Sequence, residues 1–265
     1  VSREPPLEKQ FLSFESFATH YDSIRPDYPA ALATDIRHYC GLTPRSRILE
    51  IGTGTGKATG LFTRHGFNLT GIEPSAAMAA TARSNLAGNT GVDILETTFE
   101  DIEFPAGTFD LIFAAQSFHW VDTAAGFRKA HQLLNENGML AVFWNLKRPL
   151  PPHLQRVFDE IYRRHFRREP WFCMDEDCLD RSDRQRRDRI EASGLFSVAV
   201  KRVYEWSHKY TGTEYVRLLD SYTDHRRLPD YDKRGLYAGI ATAIDRHGGV
   251  LDLPYVTFAY LCTRC

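Results

Sequence analysis

Residues 47–60, "RILEIGTGTGKATG", decide the fold. A short apolar run ends in Glu50, and Gly52, Gly54 and Gly56 follow before a helix-forming stretch. This reads as a buried strand turned into a helix through a glycine-rich loop. The same rhythm continues downstream. "NLTGIE" (68–73) is a second strand, and "SAAMAATARSNLAG" (75–88) is a helix with Ser75 as N-cap. "VDILETTF" (92–99) is a third strand. "FDLIFAAQ" (109–116) is a fourth, with a continuous apolar run typical of a strand buried on both faces. "DTAAGFRKAHQLLNENG" (122–138) is a helix capped by Asp122 and stopped near Gly138, and "MLAVFWN" (139–145) is a fifth strand. Such alternation with short links gives parallel βαβ units and a doubly wound sheet.

The flanks are less regular. Upstream, residues 1–30 are rich in aromatics, and "AALATDIRHYC" (30–40) reads as a helix closed by Gly41 and Pro44. Downstream, "PPHLQRVFDEIYRRHF" (151–166) is an amphipathic helix, and residues 175–191 are a mixed-charge run suited to a solvated helix face or loop. "FSVAVKRVYEW" (196–206) is a strand, residues 211–248 hold one or two helices, and "VTFAYLCT" (256–263) is the last strand. The expected fold class is therefore α/β, a mostly parallel seven-stranded Rossmann-like sheet whose helical insert forms a cap over one end. The aromatics Trp171, Phe172, Tyr215 and Tyr222 are expected in the core. Three parts follow: 1–40 as an N-terminal cover, 41–148 as a nucleoside-binding core, and 149–265 as the last strands with the inserted cap.

Composition narrows the function. The chain has 265 residues and 43% hydrophobic content, enough for one large core with a cap. Its net charge of −1 lacks the basic excess of a nucleic-acid binder. No apolar run reaches the roughly 18–20 residues that span a bilayer, and the start lacks a signal peptide's apolar core. A soluble cytoplasmic enzyme without nucleic-acid or membrane partners is expected; the oligomeric state is open. Five cysteines make an odd count, which argues against a disulfide framework. "CMDEDC" (173–178) and "CTRC" (262–265) would offer four thiolates to zinc, but the first spacing is loose and no metal is expected.

The glycine loop separates the cofactor classes. A P-loop needs G-x-x-x-x-G-K-[ST], whereas Ile51 stands at the first glycine and Ala58 follows Lys57. A dinucleotide fingerprint needs G-x-G-x-x-G, and counting from Gly52 puts Lys57 at the third glycine. Glu73 closes the second strand where it can take ribose hydroxyls, as any adenosine cofactor requires, so a nicotinamide cofactor stays open. The third pattern is acidic-x-G-x-G-x-G, Glu50 to Gly56. It suits a zwitterionic amino acid approaching bare backbone at Gly52, Thr53 and Gly54, with Glu50 balancing an ammonium.

This third pattern resembles the class I S-adenosylmethionine-dependent methyltransferases, and the likeness runs over residues 11–145. "TGIEPSAAM" (70–78) is similar to the family's second motif. By resemblance, Glu73 holds the ribose, and Pro74 to Met78 line the adenine. "TTFEDIEF" (97–104) resembles the segment after strand three. There Thr98 replaces the family's Asp, Phe99 offers its backbone N–H, and Glu100 follows. "FDLIFAAQSFHWVD" (109–122) resembles the fourth motif, bringing Gln116 and Ser117 to the cofactor's methionine part. "FATHYDSIRPDYP" (17–29) is similar to the N-terminal cover of small-molecule members, with Tyr21 and Arg25 against cofactor or substrate. The resemblance implies S-adenosyl-L-methionine as cofactor and methyl transfer to a small-molecule acceptor, most simply an oxygen. Trp120, Trp144 and Asn145 are then candidates for the acceptor pocket. His119 is the candidate general base where the acceptor must lose a proton. His119→Ala is expected to lower the rate and spare cofactor binding. A cofactor-binding regulatory protein without transfer is the alternative.

Overall fold

A computed structural model describes residues 22–121, 123–166 and 175–265. Tyr21, Asp122, Trp171, Phe172 and Cys173, singled out above, lie outside the described residues. Seven strands form one sheet in the order β3-β2-β1-β4-β5-β7-β6. They are β1 (Arg47–Ile51), β2 (Asn68–Ile72), β3 (Val92–Leu95), β4 (Phe109–Ala115), β5 (Leu134–Lys147), β6 (Phe196–Thr211) and β7 (Val250–Arg264). Neighbours from β3 to β5 pair in parallel, whereas β7 runs antiparallel to both β5 and β6. The sheet is thus mostly parallel, as the alternation requires. The strand order reverses between β1 and β4, the place where open α/β sheets bind ligands.

Helices α1 (Ala30–Tyr39) and α2 (Lys57–Thr63) cover one face, while α4 (Thr123–Leu133) and α6 (Glu176–Glu191) cover the other. Helix α3 (Ala76–Asn85) packs beside β3. Strand β4 shows why its sequence is apolar at every position from Leu111 to Ala115. Leu111, Phe113 and Ala115 meet the α1–α2 side, and Ile112 and Ala114 meet the α4–α6 side. The same alternation puts Glu50 on the α2 side of β1, and Lys147 on the α1–α2 side of β5 with Trp144 opposite.

The cap is a second apolar cluster. Helices α5 (Pro152–His165), α7 (Gly212–Asp220), α8 (Thr223–Arg226) and α9 (Asp230–Arg246) pack with the overhanging ends of β6 and β7. No helix among the described residues is long and apolar enough to cross a membrane.

Several boundaries differ from expectation. Helix α4 ends at Leu133, five residues short of Gly138, and β5 begins at once with a register shift between Phe109 and Leu111 on its partner. Local bonds explain this: Asn135 donates to Asp110 at 2.8 Å and accepts from the Asn137 N–H at 3.0 Å. Asparagines that bond nearby backbone or side chains compete with a helix. Strand β3 stops at Leu95 because Thr98 folds the next residues into a turn on Asp101. Strands β6 and β7 run beyond their predicted ends as a paired ribbon from Ser207↔Pro254 to Thr211↔Val250. The stretch 211–248 holds three helices rather than one or two.

Candidate functional site

The loop after β1 turns at positive φ on each of its glycines: 72° at Gly52, 59° at Gly54 and 89° at Gly56. A Cβ at Gly52 would sit 2.5 Å from the Cβ of Ser117, so Gly52 lets β1 and the end of β4 close together. A Cβ at Gly54 would meet nothing within 4 Å; its backbone faces open space. The Gly52 and Thr53 N–H groups both donate to the Ile72 carbonyl at 2.9 Å, fixing the loop to the end of β2. Thr53 itself turns inward against Gly71.

Two carboxylates flank this loop. Glu73 accepts from the Gly54 N–H at 2.8 Å and from the Ser75 N–H at 2.9 Å. Burial pushes its carboxyl up, and those two backbone donors pull it back down. Glu50 is fully buried and accepts from the Thr59 hydroxyl at 2.5 Å through Oε2. Its other oxygen, Oε1, has no hydrogen-bond partner. Burial pushes Glu50 up to about 8, against the Thr59 bond, with the nearby Glu73 charge adding to the rise. A buried carboxylate oxygen without a donor is costly, and a cationic ligand group or a water would satisfy it.

Around the pair, Ser75 caps α3 through a bond from the Met78 N–H at 3.4 Å. Pro74 is half-buried, whereas Met78 and Phe99 are buried. The Thr98 hydroxyl donates to Asp101 at 2.7 Å, so it is engaged locally and Asp101, not Thr98, presents the carboxylate in this segment. Glu100 is exposed, and its carbonyl accepts from Lys129 at 2.6 Å.

The end of β4 completes the floor. Gln116 has φ 60°, an uncommon conformation for a side chain other than glycine's, and its side chain donates to the Asn145 carbonyl at 3.0 Å. The Ser117 hydroxyl donates to the Ile51 carbonyl. His119 and Trp120 form a short helical turn with rings 5.0 Å apart. Burial, then the charges of Arg186 and Arg189, push the His119 imidazole down to about 4. The residue is exposed at its surface, so repulsion by the two guanidiniums is the firmer cause, and the ring is neutral at neutral pH.

Trp144 and Asn145 do not converge. Trp144 is buried on the α6 side with the Arg186 guanidinium 4.8 Å above its ring. Asn145 points the other way. It donates to the Asp27 carbonyl at 3.1 Å and accepts from Thr257 at 2.7 Å. The Arg25 guanidinium stacks 4.2 Å over Tyr222 and donates to the Ser221 carbonyl at 3.2 Å. Three residues escaped the sequence reading: Thr59, Lys147 and Asp101. Lys147 alone carried a signal, as a lysine just past the apolar run Met139–Trp144.

A polar hollow of about 430 Å³, lined by Cys40, Ser46, Asp110 and Asn135 among others, lies at the opposite, amino-terminal end of the strands. Among the described residues no group of three or more His, Cys, Asp or Glu is placed to hold a metal ion.

Comparison with known proteins agrees with this geometry. Residues 49–142 match the family model described as a methyltransferase domain. An uncharacterized methyltransferase of Mycobacterium tuberculosis is 26% identical over 260 residues, covering 96% of this chain and 95% of its own. CRG1 of Saccharomyces cerevisiae, named as a probable S-adenosylmethionine-dependent methyltransferase, is 29% identical over 136 residues, or 50% of this chain and 45% of its own. A solved structure from Anaeromyxobacter dehalogenans, provisionally named a type II methyltransferase, superposes with a TM-score of 0.63 at 18% identity, covering 91% of this chain and 97% of that one. The loop between β1 and α2, the sheet order and these likenesses agree: residues 49–142 match a methyltransferase domain, and the chain as a whole is similar to the class I methyltransferases.

Proposed function

We propose that this methyltransferase uses S-adenosyl-L-methionine and acts on a small-molecule acceptor, most simply at an oxygen. The observation that carries the cofactor reading is Glu50: buried, held by Thr59 on one oxygen and lacking a partner on the other, directly before the Gly54 opening. These residues fit the cofactor. Glu50 would answer its ammonium, Gly52 to Gly54 its methionine backbone, and Glu73 its ribose. Pro74, Met78, Thr98, Phe99 and Glu100 would surround the adenine. Gln116 and Ser117 would close the floor, and residues 1–40, with Tyr21 and Arg25, would cover the cofactor. Residues 41–148 are the binding core on this reading, and 149–265 carry the cap.

The bound cofactor supplies a methyl carbon on positive sulfur, open to displacement by a lone pair. What remains for the protein is alignment and exclusion of water, which in favourable cases supply roughly 7–11 kcal/mol. His119 is the base candidate for a hydroxyl acceptor. Burial, with the Arg186 and Arg189 charges, holds this ring below the ordinary imidazole range, so it takes a hydroxyl proton weakly, which favours an acceptor oxygen already ionised. Titration calorimetry with S-adenosylhomocysteine and, separately, NAD⁺ tests the cofactor reading. We expect heat from the first alone. Uptake of NAD⁺ with none of S-adenosylhomocysteine would overturn it.

A further inference from the structure

Strand β6 closes one side of the sheet, and among the described residues only β7 pairs with it. Its outer edge presents a row of backbone N–H and C=O groups that another strand can take up. The opposite edge, β3, is four residues long, whereas β6 runs for sixteen. Native edges are ordinarily blunted by short length, bulges or outward charges. The bulge in β6 lies near its start, between Val198 and Val200. From there to Trp206 the charged side chains turn back onto the molecule's own faces. On the α6 side, Lys201 donates to Asp183 at 2.6 Å. Glu205 on the same side accepts from Arg148, which also holds Glu176 of α6 at 2.6 Å. On the α1 side, Arg202 lies 4.5 Å over the ring of Tyr39, and the Tyr204 hydroxyl donates to Asp35 at 2.8 Å. The edge is thus braced from both faces and held ready to pair. Two exposed apolar side chains flank it: Val203, 50% exposed, on the α6 side, and Tyr39, 39% exposed, on the other.

We propose that this edge is the interface of a two-fold dimer, in which the β6 strands of two copies pair antiparallel about Val203 and join their sheets into one. A two-fold axis through such a sheet keeps each face on its own side, so a residue meets one of the same face in the partner. Few registers then remain. Centring the pairing on Lys201, Arg202 or Glu205 sets that charge against its own copy, which is unfavourable. Centring it on Tyr204 brings no opposite charges together. Centring it on Val203 sets Lys201 opposite the partner's Glu205, Arg202 opposite the partner's Tyr204, and Val200 opposite the partner's Trp206. The exposed Val203 side chain then packs on its copy.

In that register the charges on the α6 side form an alternating row: Arg148, Glu205, the partner's Lys201, the partner's Asp183. The symmetry repeats the row in the other direction, so two opposite-charge pairs cross the interface. Because the pattern is complementary to itself, the occupant it fits is a second copy of this chain and not a foreign strand. The interface needs neither cofactor nor acceptor, and it stands apart from the cofactor reading.

Sedimentation equilibrium on the full chain over a micromolar concentration series tests the assignment. We expect a reversible monomer–dimer equilibrium. Glu205→Lys and Lys201→Glu should each raise the dimer's dissociation constant at least about tenfold, because two like-charge pairs replace two opposite ones. An equimolar mixture of the two variants should recover dimers, since each reversed charge then meets its opposite. Mixing would not rescue a variant that had merely misfolded. Val203→Lys, at an exposed position, should also give a folded monomer. Hydrogen exchange should show amides between Val200 and Trp206 that exchange more slowly in the dimer than in the monomer. A wild-type chain that stays monomeric throughout the series would overturn the proposal. So would a dimer that all three substitutions leave equally tight, a mixture that stays monomeric, or Val200–Trp206 amides that exchange alike in monomer and dimer.

Discussion

Glu50 shows how one side chain joins stability to ligand binding. Its folded pKa, about 8, lies above the ordinary 4.5. Between those values the folded chain keeps a proton that the unfolded chain has lost. Its contribution is therefore fully present below pH 4.5 and is lost as pH rises toward 8. Glu50→Gln should flatten the fall in melting temperature between pH 5 and pH 8 relative to wild type. Glu73, also raised, gives the same slope in both proteins and so cancels in the comparison. The same variant should weaken S-adenosylhomocysteine by about 10–100-fold, the scale of a bond to a charged group. A parallel pH dependence in both proteins would show that Glu50 is ionised in the free protein. The glycines divide by a similar logic. Gly54→Ala places a methyl group in open space at φ 59°. It should cost about 1–2 kcal/mol of stability by denaturant melts and cut S-adenosylhomocysteine affinity more than tenfold. Gly52→Ala drives its Cβ to 2.5 Å from that of Ser117 and should destabilise the fold more. Normal affinity in Gly54→Ala would move the cofactor away from this loop.

Among the elements, the parallel half was legible because each strand and its helix are neighbours in sequence. The continuous apolar run of β4 and Ser75 before α3 are local signals, and both hold in the structure. The loop glycines, Glu50 and Glu73 were legible for the same reason: spacing along one βαβ unit places them together. The ribbon of β6 and β7 was not. Its pairing from Ser207 to Thr211 joins residues about forty positions apart, and its exposed Ser207, His208 and Lys209 carry no strand signal. Nor was the meeting of Arg25 and Lys147 over Tyr222, since the three arrive from separate segments. Helix α7 offers a direct test of how firmly the cap is built on that ribbon. Its capping box ties Thr211 to Glu214 in both directions. Thr211→Ala should cost about 0.5–2 kcal/mol and accelerate amide exchange in α7 while β1 and β4 keep their protection. Uniform acceleration across the sheet would mean that cap and core unfold as one unit.

Across the whole molecule, the two faces of one sheet separate two kinds of positive charge. On the α6 side, Arg186 lies over Trp144 and acts on His119. On the other, Arg25 and Lys147 converge on Tyr222. The net charge of −1 conceals both. The span from Asp22 to Tyr28 links the parts: Lys57 at the start of α2 grips Asp27, Asn145 of the sheet holds the Asp27 carbonyl, and Arg25 rests on the cap at Ser221. A short strap fastened at Asp27 and Arg25 joins the two regions, so a ligand on the glycine turn and one under the cap are expected to alter each other's affinity, by the same factor in both directions. Donor and acceptor would then enter not as independent guests but as partners, each changing the other's residence.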